Sequence, residues 1–234
     1  YIKAAGELKT KPTQHSVQEL RRIGITPDML VCRSELSLPK ELKNKLAFSC
    51  GVERNSVIEC LDASTIYQVP LNFLKENILV PISEALNLGD LTPHMDQWDT
   101  LVKRVIAPRD ELLIAFVGKY LDLKESYKSL TESLIHAGAH LNAKVNLKWV
   151  DSELIEEKGT DILADVDGVL VAGGFGERGV VGKMAAIRYA RENKIPYLGI
   201  CLGMQLAMIE FARNVLNLED ANSIEFNPTC KNPI

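Results

Sequence analysis

From Leu112 onward, short and mostly apolar runs alternate with stretches in which apolar residues recur every three or four positions. Short apolar runs mark strands of a buried sheet, and the three-to-four spacing marks helices with one buried side. The runs predict strands over 112–117, 145–150, 166–171 and 195–200, and the spacing predicts helices over 124–141, 152–158, 181–193 and 202–211. Strand and helix alternate throughout, so the expected fold is α/β, a doubly wound parallel sheet with its ligands at the carboxyl ends of the strands.

Before residue 86 the segments are shorter: helices over 16–23 and 39–47, strands over 29–32 and 57–60. The charged stretch 87–110 holds Pro93, Trp98 and Pro108 and reads as an interdomain linker with a short helix over 98–106. The expected organisation is therefore 1–86, a linker 87–110, and a second domain 111–234, without internal repeats or low-complexity tracts.

The 234 residues leave room for parts of two domains, each with its own core. With 31 acidic and 27 basic residues the net charge is -4, and no basic stripe marks a nucleic-acid surface. Cys32, Cys50, Cys60, Cys201 and Cys230 form an odd set without a C-x-x-C pair, which suits a reducing compartment. No apolar run approaches the ~18 residues of a membrane span. The expectation is a cytoplasmic protein with neither a membrane nor a nucleic acid as partner. The chain opens on Tyr1 and stops at Ile234 in mid-pattern, so it reads as a segment of a longer polypeptide.

Gly199-Ile200-Cys201-Leu202-Gly203-Met204-Gln205 places one cysteine between two glycines where a strand turns into a helix. The helix N-terminus favours a thiolate there, and its free backbone N–H groups can cradle an oxyanion. The turn Gly173-Gly174-Phe175-Gly176 follows the preceding strand and opens on the same sheet edge, so its N–H groups can pair with that of Leu202 as a two-donor oxyanion hole. Gly182-Lys183 resembles the end of a phosphate loop, but Glu177 stands where that loop needs glycine and Met184 where it needs a hydroxyl.

A cysteine that attacks an amide needs a base. His15, His94, His136 and His140 all precede Cys201, and none is an obvious candidate. His136 and His140 have the spacing of two metal ligands but lack the glutamate of H-E-x-x-H, and they read as a solvated helix face; no metal ligands are assigned. At the other end of the chain, the polar loop from Gly6 to Ser16 carries Lys9 and Lys11 into a helix expected to start at Ser16, an anion-binding arrangement. Arg33 and Lys45 can add positive charge to it.

Four stretches, Lys9-Thr10-Lys11-Pro12-Thr13-Gln14-His15-Ser16-Val17, the Gly173–Gly176 turn, the Cys201 elbow and Ala221-Asn222-Ser223-Ile224-Glu225-Phe226, closely resemble the CTP synthase family. The resemblance covers essentially the whole chain, and the Lys9 loop narrows it from class I glutamine amidotransferases in general. It implies a flavodoxin-like class I glutaminase domain preceded by the C-terminal part of an α/β amidoligase domain. It further implies ATP-dependent amination of UTP to CTP with ammonia released from L-glutamine.

Carried onto this chain, the resemblance makes Cys201 the nucleophile and places Gly173, Gly174, Phe175, Leu202, Gly203, Met204, Gln205 and Glu225 around the oxyanion and glutamine. Lys9, Thr10, Lys11, Pro12, Thr13, Gln14 and Lys45 fall to UTP and feedback CTP, and Arg33, Leu61, Asp62 and Ala63 to ATP. Mg2+, GTP as an allosteric activator, a homotetramer and filaments also follow from the family. Its phosphate loop, its magnesium-binding acidic residues and its His-x-Glu pair have no counterpart here, so the chain is expected to be an interior segment, catalytically incomplete alone. Many members carry proline where Ala172 stands. Two other readings remain open: a nucleotide-sensing or assembly module without chemistry, and another cysteine hydrolase of the same fold.

Overall fold

The computed structural model describes residues 6–119, 125–174 and 176–234, in two compact units, 1–106 and 107–234. In the first unit, β1 (Leu30–Ser34) and β2 (Val57–Leu61) pair in parallel, with Leu30 opposite Val57 and Ser34 opposite Leu61. The helices α1 (Lys11–Arg22) and α2 (Lys40–Cys50) bury Val17, Leu46, Ala47 and Cys50 against Leu30 and Val57.

α1 starts at Lys11, five residues before the expected Ser16, so half of the anticipated loop is helix. Pro12 explains the early start: in a first turn its missing N–H is no loss and its fixed φ suits the helix. The Gln14 N–H then closes that turn on the Thr10 carbonyl at 3.1 Å. Two short helices, α3 (Val69–Lys75) and α4 (Leu79–Leu86), lie where none was expected. The segment 87–110 contains α5 (Asp96–Ile106), and the Trp98 indole N–H just inside it donates to the Tyr67 carbonyl at 2.7 Å.

The second unit is a four-stranded parallel sheet in the order β4 (Ala143–Asp151), β3 (Asp110–Gly118), β5 (Gly168–Val171) and β6 (Tyr197–Gly199). In chain order the first strand lies between the second and third, which makes its junction with β5 the switch point of a doubly wound sheet. Side-chain alternation along β3 and β5 builds two cores. Ala115, Val117, Val169 and Val171 pack with α7 (Ser152–Lys158), α8 (Val180–Glu192) and α9 (Leu202–Asn214). Phe116 and Leu170 pack on the other face with Leu130 and Leu134 of α6 (Lys128–Leu141).

α7 occupies the residues its pattern indicated, capped by the Asp151 carboxylate accepting the Glu153 N–H at 2.9 Å. The helix expected from residue 124 is seen from Lys128, and residues 120–124 lie outside the described residues. Between α8 and α9, Glu210, 1% exposed, accepts two bonds from Arg191 Nε and one at 2.8 Å from its Nη2. A short parallel bridge, β7 (Ala221–Asn222) with β8 (Asn232–Pro233), follows α9. Among the described residues no helix is long and apolar enough to cross a membrane.

Candidate active site

β6 ends at Gly199 and α9 begins at Leu202, so Ile200 and Cys201 must reverse the chain within two residues. Cys201 absorbs the turn with φ 52° and ψ -114°, a left-handed conformation that costs a non-glycine residue of order 1–3 kcal/mol. Close approach is the reason for the flanking glycines. A Cβ on Gly203 would lie 2.2 Å from the Val171 carbonyl oxygen at the end of β5, and one on Gly199 would lie 2.6 Å from the Met204 nitrogen. The Tyr197 hydroxyl donates to the Gly203 carbonyl at 2.7 Å, fastening β6 to the first turn of α9, and burial pushes that hydroxyl's pKa up.

The strained residue is exposed, as a nucleophile must be. Behind it the N–H groups of Gly203, Met204 and Gln205 are taken by the Ile200 and Cys201 carbonyls at 3.0, 3.0 and 3.2 Å. The Leu202 N–H has no acceptor among the described residues and is available at the helix start. Leu202 and Gly203 are buried, whereas Met204 and Gln205 are exposed on the outer side of that turn.

The turn after β5 reaches the same spot. A Cβ on Gly173 would stand 3.1 Å from the Cys201 Cβ and 3.7 Å from its Sγ, so a side chain there would crowd the thiol. Gly174 has φ +140°, and a Cβ there would meet Lys119 Cε at 3.2 Å. Neither the Gly173 nor the Gly174 N–H donates to an acceptor among the described residues. Phe175, expected here, lies outside the described residues. Glu225 is exposed beside Phe226, which packs on the same core as α9, and its N–H bonds the Ser223 hydroxyl at 3.2 Å; among the described residues no hydrogen bond joins Glu225 to the elbow.

Two buried lysines flank this site, Lys119, which sequence reasoning did not single out, and Lys183, which it met only in the rejected phosphate-loop comparison. Lys119, at the end of β3, is 3% exposed; Lys183, in the first turn of α8, is 0% exposed and donates to the Ala172 carbonyl at 3.2 Å. Burial lowers the Lys183 pKa to about 8, Lys119 adds like-charge repulsion, and attraction to Cys201 opposes both. The signal for Lys183 was present: it shares a buried stripe with Ala186, Ile187 and Ala190. Just above, Arg178 Nη2 pairs with Glu153 at 2.9 Å, and that hydrogen-bonded charge pulls the Glu153 pKa down. His136 and His140 sit exposed on α6, as their reading as a solvated face implied.

In the first unit, Arg33 and Asp62 meet at 2.9 Å beside the ends of β1 and β2, with Leu61 closing β2 and Ala63 following. Lys9, paired with Glu7, and Lys11, Pro12, Thr13 and Gln14 cluster at the start of α1, where the Gln14 amide donates to the buried Thr10 hydroxyl at 3.1 Å. Lys45 is exposed on α2 and forms no hydrogen bond or ion pair with them among the described residues. These residues supply cationic and amide donors suited to phosphates.

Two family models match. Residues 1–88 fit CTP synthase N-terminus and residues 122–232 fit Glutamine amidotransferase class-I. The CTP synthase of Campylobacter jejuni (strain RM1221) is 69% identical over 100% of this chain and 43% of its own length. That of Nautilia profundicola is 68% identical over 100% of this chain and 44% of its own length. A solved structure, the glutaminase domain of Trypanosoma brucei CTPS with bound acivicin, is 45% identical, covers 52% of this chain and 48% of its own, and has a TM-score of 0.48. The chain thus spans about two fifths of the length of the curated relatives it matches.

Proposed function

Because this chain belongs to the CTP synthase family, we propose that its protein aminates UTP to CTP with ATP, using ammonia that the second unit frees from L-glutamine through a thioester on Cys201. The observation that carries this reading is the strained, exposed Cys201 at the start of α9, with the uncommitted Leu202 N–H on one side and the bare Gly173–Gly174 turn on the other. The thiolate sulfur attacks the amide carbon of glutamine, and the carbonyl electrons move onto oxygen between the Leu202 and Gly174 N–H groups. Collapse breaks the C–N bond, the nitrogen leaves as ammonia after gaining a proton, and water splits the thioester to glutamate and the free thiol. Gln205 and Met204, exposed on the first turn, with Glu225 and Phe175, are assigned to holding the glutamine.

In the first unit, Lys9–Gln14 and Lys45 are assigned to the phosphates of UTP and feedback CTP, and Arg33 with Leu61, Asp62 and Ala63 to ATP. The paired Arg33 and Asp62 fit a nucleotide by offering a cation for phosphate and an acceptor for a hydroxyl. Among the described residues no group of three or more His, Cys, Asp or Glu side chains could hold a metal ion, and the ligands of Mg2+ are assigned to the parent protein outside this segment. GTP activation, a homotetramer able to form filaments, and a cytoplasmic setting belong to the same proposal and rest on family membership.

The test is isotopic. The full-length protein, given UTP, ATP and glutamine labelled with nitrogen-15 in its amide, should yield CTP carrying the label at its amino nitrogen, read by mass spectrometry. CTP formed from added ammonium but never from labelled glutamine would overturn the thioester reading and leave an ammonia-dependent synthase with an idle second unit, whereas no CTP from either nitrogen source would favour a nucleotide-sensing module without chemistry.

A further inference from the structure

α8 carries an ammonium group into the apolar core. Lys183, Ala186, Ile187 and Ala190 form its buried side, with exposures of 0%, 0%, 4% and 0%. Among the described residues the Lys183 Nζ has one hydrogen-bond acceptor, the Ala172 carbonyl at 3.2 Å. A buried charge with a single neutral acceptor opposes folding, and a methionine of similar volume would fill the space without that cost. Charges kept under such conditions concentrate at functional sites.

The location gives the charge a use. Ala172 links β5 to Gly173, and its own N–H is held by the Val117 carbonyl at 3.0 Å. The N–H bond anchors the peptide before Ala172 and the carbonyl bond the peptide leading into Gly173, so the entry to the Gly173–Gly174 turn is held on both sides of Ala172. Lys119 lies along the same turn, since a Cβ on Gly176 would be 3.8 Å from its Nζ.

We propose that Lys183 is a positioning residue of the cysteine site: its ammonium holds the Ala172 carbonyl so that the glycine turn faces Cys201, and it stabilises the negative charge formed on the thiolate and the oxyanion. The inference rests on the thioester reading and adds to it a residue that touches no substrate. Attraction to Cys201 favours the charged form of Lys183, so the two groups sense one another across the glycine turn.

Lys119 beside the end of β3 and Cys201 at the head of α9 are the ionisable groups whose charge acts on Lys183, while others on the elements around α8 are engaged elsewhere, Arg213 of α9 donating to the Ala221 carbonyl. Glu156 accepts the Gly182 N–H, Glu153 pairs with Arg178, Glu210 with Arg191, and the Tyr197 hydroxyl bonds Gly203. Lys183 is charged below its midpoint of about 8 and neutral above it, so its support is present at neutral pH and fades as the pH rises past 8.

The experiment compares the full-length protein with its Lys183→Met variant. Iodoacetamide alkylation of Cys201 is followed by peptide mass spectrometry from pH 6.5 to 9.5, alongside thermal unfolding. In the variant Cys201 should react about tenfold more slowly at pH 7. The gap should close as the pH passes about 8, and the melting temperature should stay equal or rise because a buried charge has been removed. Equal rates and pH profiles in the two proteins would overturn the inference, as would a loss of reactivity that tracks a lowered melting temperature. A wild-type Cys201 no more reactive than Cys230 would overturn the thioester reading itself, and the inference with it.

Discussion

Replacing Cys201 with alanine is expected to lower glutamine-dependent CTP formation by about 10^4-fold or more, the scale seen when a nucleophile is deleted from a catalytic unit. Synthesis from added ammonium should continue. The two halves of this expectation follow from the architecture. The thiol is the only group at the elbow that can form an acyl bond, and without it Leu202 and Gly174 have no tetrahedral intermediate to stabilise. The residues proposed to hold nucleotides, at the start of α1 and at the ends of β1 and β2, belong to the other compact unit and contain no sulfur. Initial rates with each nitrogen source, measured side by side on the full-length protein, check both parts; loss of both activities would count against the assigned role.

Replacing Gly203 with alanine should destabilise the second unit by about 3 kcal/mol, the upper range for overpacking a filled site. The sign runs against helix propensity, because alanine inside an exposed helix is better than glycine by about 1 kcal/mol. Here the new Cβ would stand 2.2 Å from the Val171 carbonyl oxygen. That oxygen is backbone at the end of a central strand and already accepts the Ile200 N–H at 3.0 Å, so it cannot swing aside as a flexible side chain would. Relief requires α9 to move away from β5, and Cys201 at its head moves with it. Denaturant titration should show a lower midpoint, and Cys201 should lose its selective reactivity. A stability within about 0.5 kcal/mol of wild type would show that the elbow is looser than its geometry implies.

The second unit was legible because β5 and the second half of β3 are buried on both faces and its helices on one, so burial wrote most of the pattern. α7 matched its expected residues, while β5 began at Gly168 rather than 166 and α8 at Val180 rather than 181. In the first unit α3 and α4 escaped notice because Pro70 and Pro81 look like breakers, and because two helices of seven and eight residues hold too few turns to show a period. The cysteine and its glycines could be read because the turn demands those residue types at that spacing. Lys183 could not be read the same way: a lysine in a helix is presumed solvated, and only its place on the Ala186–Ile187–Ala190 stripe distinguishes it. Glu225 came from likeness to a family, and nothing local to it signals a ligand.

The central claim is that Cys201 is a glutamine-directed nucleophile, and a glutamine-analogue electrophile tests it most directly. The full-length protein would be treated with the reagent, with and without excess glutamine, then digested and its cysteine peptides weighed. A single adduct on Cys201, suppressed by glutamine, is the expected result. Adducts spread over Cys32, Cys60 and Cys230, or labelling of Cys201 that glutamine leaves unchanged, would contradict it.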